Sequence, residues 1–194
     1  GDFSDRSHLQ HSNLFGSAMA FQGNCWWFFP PSHSIDALYA IKRHNITCIS
    51  NSLLALYEHL DIYPQHKIPF TRRLISLVAG IDQSATEIMA TKDVTLYRFV
   101  YMPFIYDGAS FVKQPRNIPL DFDTFAEYRS HLSSVLAACY ANARDSRRRS
   151  QYSLVTTCSR GYDSSAVTVL ARELGCQRAI TISHGRDGQD DSGA

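Results

Sequence analysis

The sequence predicts two units of different class: an α+β unit rich in short strands, then the beginning of an α/β unit built on a parallel sheet. Three observations carry this expectation. Ahead of residue 118 the apolar segments are short, β-prone and bounded by turn residues. From Asp123 the apolar residues fall three and four apart, the period of a helix. From Tyr152 a β-branched run, a polar loop, a helical pattern and a second short run follow one another in the order of a βαβ unit. The polar, proline-bearing stretch "QPRNIPLD" places the boundary between Gln114 and Asp123, so the units are read as 1–118 and 119–194.

In the first unit, "LFGSAMAF" and "CWWFFPP" read as strands, the second closed by Pro30 and Pro31. The aromatic segment is either a buried strand face or an exposed recognition patch. Leu38–Ile41 and Ile46–Ile49 form a hairpin turned at His44-Asn45. A helix starts at Ser50 or Asn51, with Leu53, Leu54, Leu56, Tyr57 and Leu60 as its apolar face. "FTRRLISLVAGI" is a second helix candidate. "VTLYRFVYMPFIYDGASFV" returns to strands, broken at Met102-Pro103 and turned at Asp107-Gly108.

The second unit opens on a long helix. Phe125, Tyr128, Leu132, Val135, Leu136, Cys139, Tyr140 and Ala143 share one face, and Thr124 with Glu127 has the pattern of a capping box. The basic cluster "ARDSRRRSQ" reads as a solvated helix end whose cations face the negative end of the dipole, with phosphate contact as the alternative. Tyr152–Thr157 then reads as a buried parallel strand and Ala179–Ile182 as its neighbour. The helix between them starts at Ser164 or Ser165, carries Val167, Leu170, Ala171 and Leu174 on one side, and stops at Gly175.

Composition excludes several classes. A formal charge of +1 gives no electrostatic reason to expect nucleic acid, and no apolar run reaches the roughly 18 residues that span a bilayer. The opening "GDFSDRSHLQ" lacks a basic-then-apolar signal, so the five cysteines are expected to be reduced thiols in a cytoplasmic protein, with Cys25 packed in a core. His8 and His11 lack a third ligand and read as solvated. Gly-x-Ser-x-Gly is absent, which argues against a serine nucleophile and leaves the catalytic residues unknown.

The loop "SRGYDSS", Ser159 to Ser165, stands at the carboxyl end of a strand, where open α/β sheets bind ligands. The helix that follows leaves its first amides unpaired at the positive end of its dipole, a setting for anions. Gly161 allows close approach, and Ser159, Ser164 and Ser165 supply hydroxyl donors. Asp163 is out of place beside bare phosphate but suits a Mg²⁺ that bridges phosphate oxygens.

"SRGYDSS" resembles the Ser-Gly-Gly-x-Asp-Ser-Ser pyrophosphate loop of the ATP pyrophosphatase superfamily, agreeing at six of seven positions. The asparagine synthetases, with the β-lactam synthetases and lasso-peptide macrolactam cyclases, are nearest in texture. No Gly-Lys-Ser/Thr follows, so the loop is not of Walker type. The resemblance extends more weakly back to about residue 15. It implies a partial amino-terminal hydrolase-like (glutaminase-like) β-rich domain, then the start of a parallel-sheet, Rossmann-like ATP domain, in a chain spanning part of the family's length.

The implied activity is ATP-dependent amide formation. A small-molecule or peptide carboxylate is adenylated, and ammonia or another amine displaces AMP. ATP and Mg²⁺ are the implied cofactors, a homo-oligomer is allowed, and neither nucleic acid nor membrane is a partner. Ser159, Gly161, Ser164 and Ser165 would hold pyrophosphate, Asp163 the metal, Thr157 a nucleotide contact through its backbone, and Ile182 the adenine. Asp190, Asp191 and Ser192 stand where relatives often have Asp-Glu-Ser, with a solvated loop as the alternative. Two departures stand out. Arg160 replaces a glycine, with an expected cost of about 1–2 kcal/mol if its φ is positive. The Cys-Gly-Ile start that glutamine hydrolysis needs is missing. The alternative function is a degenerate homologue that binds a nucleotide or partner without catalysis.

Overall fold

A computed structural model of the chain describes residues 14, 16–62, 76–81, 84, 86–116, 121–183, 188, 190 and 192. The chain divides into two compact units, Ser4–Ile118 and, together with Gly1–Phe3, Pro119–Ala194. His8, His11, Asp191 and the first half of the second helix candidate lie outside the described residues. In its second half, Ser76–Ala79 is a short 3₁₀ turn.

The first unit stacks two antiparallel sheets. One runs in the order β1 (Ala18–Gln22), β2 (Cys25–Phe29), β7 (Phe104–Tyr106), β8 (Phe111–Lys113). The other runs β4 (Ile46–Ser50), β3 (Leu38–Arg43), β6 (Val94–Phe99), β5 (Glu87–Ala90). Turn chemistry sets the hairpins. Gly23 and Asn24 both take positive φ between β1 and β2, and His44 does so between β3 and β4.

Alternation on β3 and β6 sorts the core into two layers. Leu38, Ala40 and Phe99 face the first sheet and meet Phe28 and Phe104. The Phe99 and Phe104 rings stack with centroids 3.7 Å apart. Burying each of these rings contributes about 1.5–3 kcal/mol. Ile41, Leu96 and Ile88 face the other way and are covered by Leu56 and Leu60 of α1 (Leu53–Leu60). The aromatic segment is therefore a strand whose second end is buried, with Phe28 in the core between the sheets and Phe29 only 3% exposed, while Trp26 nearer its start stays 42% exposed.

Two arginine and lysine contacts finish this unit. Lys42 donates to the Ala109 carbonyl. Its ammonium lies 4.8 Å from the Phe111 centroid, 5.8 Å from that of Tyr106 and 5.9 Å from that of Tyr97. The break at Met102-Pro103 is a tight turn. Tyr101 has φ of 64° and the Met102 amide donates to the Val100 carbonyl. A bulky residue there costs about 1–2 kcal/mol. Arg116 offsets it, donating through Nε to the Tyr101 carbonyl at 2.5 Å and through Nη1 to the Ser32 hydroxyl at 2.8 Å.

The second unit holds α2 (Phe125–Ala143), β9 (Thr156–Thr157), α3 (Tyr162–Glu173) and β10 (Ala179–Ile180). Thr124 caps α2 by accepting from the Glu127 amide at 3.2 Å, while the Glu127 carboxylate reaches the Asp123 amide rather than that of the cap. The predicted apolar face of α2 is only half-covered, since none of its residues is fully buried. Arg129 on α2 pairs with Glu173 on α3 at 2.6 Å. At the end of α2, Arg148 folds back to donate to the Asn142 carbonyl, as a cation near a helix carboxyl terminus does.

The parallel sheet is smaller than expected. The described residues give the βαβ order but only a two-stranded parallel pair, with Thr156 opposite Ala179 and Thr157 opposite Ile180. Among the described residues no strand pairs with Tyr152–Val155 or Thr181–Ile182, which lie outside the ladder. Among the described residues a larger, Rossmann-like parallel sheet is not shown.

Candidate functional site

Residues 158–165 form the corner between β9 and α3. The Cys158 amide donates to the Ile180 carbonyl at 2.9 Å, which fixes where the strand ends. α3 begins at Tyr162, two residues earlier than the sequence pattern indicates, with Gly161 as its N-cap. The apolar period starts only after Ser165, whereas the helical backbone starts where the chain first closes Ser165 N–H onto Gly161 C=O at 3.3 Å.

Gly161 has no side chain to cap the helix. The first-turn amides of Tyr162, Asp163 and Ser164 therefore point beyond the helix end, where the dipole places partial positive charge. Residues Gly161, Tyr162 and Asp163 are exposed, so the end of the helix is open.

The hydroxyls are organised from within the loop. Ser159 Oγ and Ser164 Oγ are 2.7 Å apart, and Ser164 Oγ also accepts from the Ser159 amide at 3.1 Å. The Gly161 amide donates to Ser159 Oγ at 3.2 Å. Ser165 Oγ donates to the Ser159 carbonyl at 3.1 Å. All three serines are thus brought to one corner and half-buried there. Thr168, one turn along α3, donates to the Ser164 carbonyl at 2.8 Å and the Thr157 carbonyl at 3.1 Å, pinning helix to strand. Sequence reading missed Thr168; its signal was the i+4 spacing from Ser164 on the face that meets β9.

Glycine is favoured at 161 for space rather than for conformation. Its φ is −72°, and a Cβ would lie 3.3 Å from Ser159 Oγ and 3.9 Å from Ser164 Oγ. Arg160 likewise escapes the expected penalty, since the described non-glycine residues with positive φ are Asn24, His44, Asp61 and Tyr101. Its Nη1 donates to the Asp190 carbonyl at 3.3 Å. Asp190 in turn accepts from the Ser192 amide at 2.9 Å and the Ser192 hydroxyl at 3.0 Å, a local turn.

The remaining candidates are spread around this corner. Thr157 lies on β9 with its carbonyl taken by Thr168. Ile182 lies two residues past β10 with its side chain 62% exposed. Asp163 is exposed on the first turn of α3. Among the described residues no three His, Cys, Asp or Glu side chains gather into a metal cluster. A cavity of about 430 Å³ opens elsewhere in the unit, bordered by Thr156, Arg172 and Arg178, and includes none of residues 158–165.

Comparison of the chain with protein-family models, with curated proteins and with solved structures finds no match. No described helix is long and apolar enough to cross a membrane.

Proposed function

We propose that the corner at Ser159–Ser165 holds the pyrophosphate tail of Mg²⁺-ATP in an ATP-dependent amide-forming synthetase of the asparagine synthetase type. The observation that carries this reading is the uncapped first turn of α3, opening from a parallel strand beside three serine hydroxyls. Unpaired first-turn amides at an exposed helix end, with three half-buried serine hydroxyls beside them, suit a polyanion.

In this reading a substrate carboxylate oxygen attacks the α-phosphorus of ATP. The bond from that phosphorus to the bridging oxygen breaks, and pyrophosphate leaves. An amine nitrogen then attacks the acyl carbon, the acyl–oxygen bond to AMP breaks, and the surplus proton passes to solvent. The chain's own contribution is charge stabilisation of the departing pyrophosphate by the amides of Tyr162, Asp163 and Ser164 and by the hydroxyls of Ser159, Ser164 and Ser165. Thr168 is a positioning residue that keeps the helix end over the strand end. Thr157 and Ile182 flank the nucleotide.

Asp163 fits a magnesium ion, which characteristically keeps several waters and takes one or two carboxylates beside phosphate oxygens. When bound, the cation would neutralise charge on the leaving group, with Asp163 supplying the protein's carboxylate. The stacked sheets and covering helix of the first unit are compatible with a hydrolase-like domain.

Calorimetric titration of the chain with magnesium pyrophosphate and with magnesium ATP tests the proposal. Saturable binding is expected, weakened at least about tenfold by Asp163→Asn, the scale of one lost charge-assisted contact. Binding of either ligand that is unchanged in the variant, or absent from the parent, contradicts it. Binding without any carboxylate-dependent ATP–pyrophosphate exchange would instead favour the non-catalytic homologue.

A further inference from the structure

We infer that the second unit carries an additional anion site, distinct from the corner, in the cavity between the far half of α3 and the start of β10, and that it takes a small phosphate monoester. The cavity measures about 430 Å³, and its polar side chains are those of Thr156, Thr168, Arg172, Gln177 and Arg178. That volume falls in the range of small-molecule sites and exceeds what a bare phosphate fills.

The polar lining is one-sided. No acidic residue borders the cavity, and two arginines do. Every ion pair described in this unit lies elsewhere, Arg129 with Glu173 and Arg147 with Asp145. The guanidinium groups of Arg172 and Arg178 have no ion-pair or hydrogen-bond partner among the described residues. The lining thus carries two formal positive charges and no negative one.

Acceptors that could have satisfied the arginines are already engaged. The Arg178 carbonyl accepts from the Thr156 amide at 3.1 Å and from the Cys176 thiol at 3.3 Å. The carbonyls at the end of α3 are taken as well, that of Ala171 by the Leu174 and Cys176 amides and that of Arg172 by the Gly175 amide. With those carbonyls occupied, the charge presented to a ligand is the arginines' own. Two guanidinium forks call for a dianion with several oxygens, which a phosphate monoester supplies at neutral pH with close to two negative charges. The buried Thr156 and the Gln177 amide add neutral polar groups for the organic part.

The test is a ¹H–¹⁵N NMR titration of the full chain at constant ionic strength, with inorganic phosphate and glycerol 3-phosphate as probes and chloride as control. Saturable shifts are expected at Thr168–Arg172 and Cys176–Ala179, larger affinity for the monoester than for phosphate, and none for chloride. Arg172→Gln and Arg178→Gln should each weaken binding about tenfold, with Arg178→Lys intermediate because it keeps charge but loses the fork. Both side chains are exposed, so circular dichroism should show folded variants. Shifts that do not saturate, that persist in the glutamine variants, or that are confined to Gly161–Ser165 overturn the proposal. The last outcome leaves the corner's role standing, so the two readings fail separately.

Discussion

The hydroxyls of Ser159 and Ser164 lie 2.7 Å apart, and the second also accepts the amide of the first. This pair closes the segment from Ser159 to Ser164 around Gly161, so the shape of the corner is held by side chains that are also its proposed ligand donors. A bound polyanion would have to draw the hydroxyls outward, exchanging one set of hydrogen bonds for charge-assisted ones, which are roughly twice as strong.

Ser164→Ala should therefore act on stability and binding together. It removes the acceptor of the Ser159 amide and the partner of the Ser159 hydroxyl, at an expected cost of about 1–2 kcal/mol. Urea unfolding reads the first effect and pyrophosphate titration the second. A variant as stable as the parent would show that the pair does not hold the corner.

Gly161→Ala separates space from conformation. A φ of −72° suits alanine, but its Cβ would stand 3.3 Å from Ser159 Oγ, so that hydroxyl must turn away. Alanine is also a poor N-cap, and the combined expectation is a loss of about 1 kcal/mol in denaturant unfolding. Pyrophosphate affinity should fall with it. Unchanged affinity would remove the Ser159 hydroxyl from the site.

Lys42 gives a prediction for the first unit. Its ammonium stands over three rings, the nearest that of Phe111 at 4.8 Å. Lys42→Gln should destabilise this unit by about 1 kcal/mol, and salt should not shrink the difference as it would for an exposed ion pair. A neutral substitution with no change in thermal midpoint would contradict the contact.

The turn after β7 carries a pH signature. Asp107 accepts from the Ser110 amide at 2.7 Å, the Ala109 amide at 2.8 Å and the Ser110 hydroxyl at 3.0 Å. The Ser110 amide first, then that of Ala109, holds its carboxyl down to about 2. Because the folded value lies below the unfolded one, this contribution is complete above about pH 4 and disappears as the pH falls through about 2. Carboxyl-carbon NMR should give the low midpoint; a value near 4 would contradict the turn geometry.

The sequence made some of these features legible and hid others for physical reasons. Hairpins such as β3–β4 were readable because period and turn residues are local properties. The start of α3 was not, since Tyr162 and Asp163 are outside the apolar period yet inside the helix. The short β9–β10 ladder was also hidden: Tyr152–Thr157 has strand propensity along its length, but a ladder exists only where a partner runs. At the corner, serines and glycine could be chosen from their chemistry. That Arg160 takes no left-handed strain, and that Arg172 and Arg178 border one cavity, depends on the path of the chain.

The central claim is that the open end of α3 receives a magnesium-bound polyphosphate. The most direct measurement is residue-resolved: ¹H–¹⁵N spectra of the chain titrated with magnesium pyrophosphate. The account expects the largest saturable shifts at Gly161, Tyr162, Asp163, Ser164 and Ser165, abolished when magnesium is withheld and the Asp163→Asn variant is used. Shifts that leave those five amides untouched while the rest of the spectrum responds would contradict it.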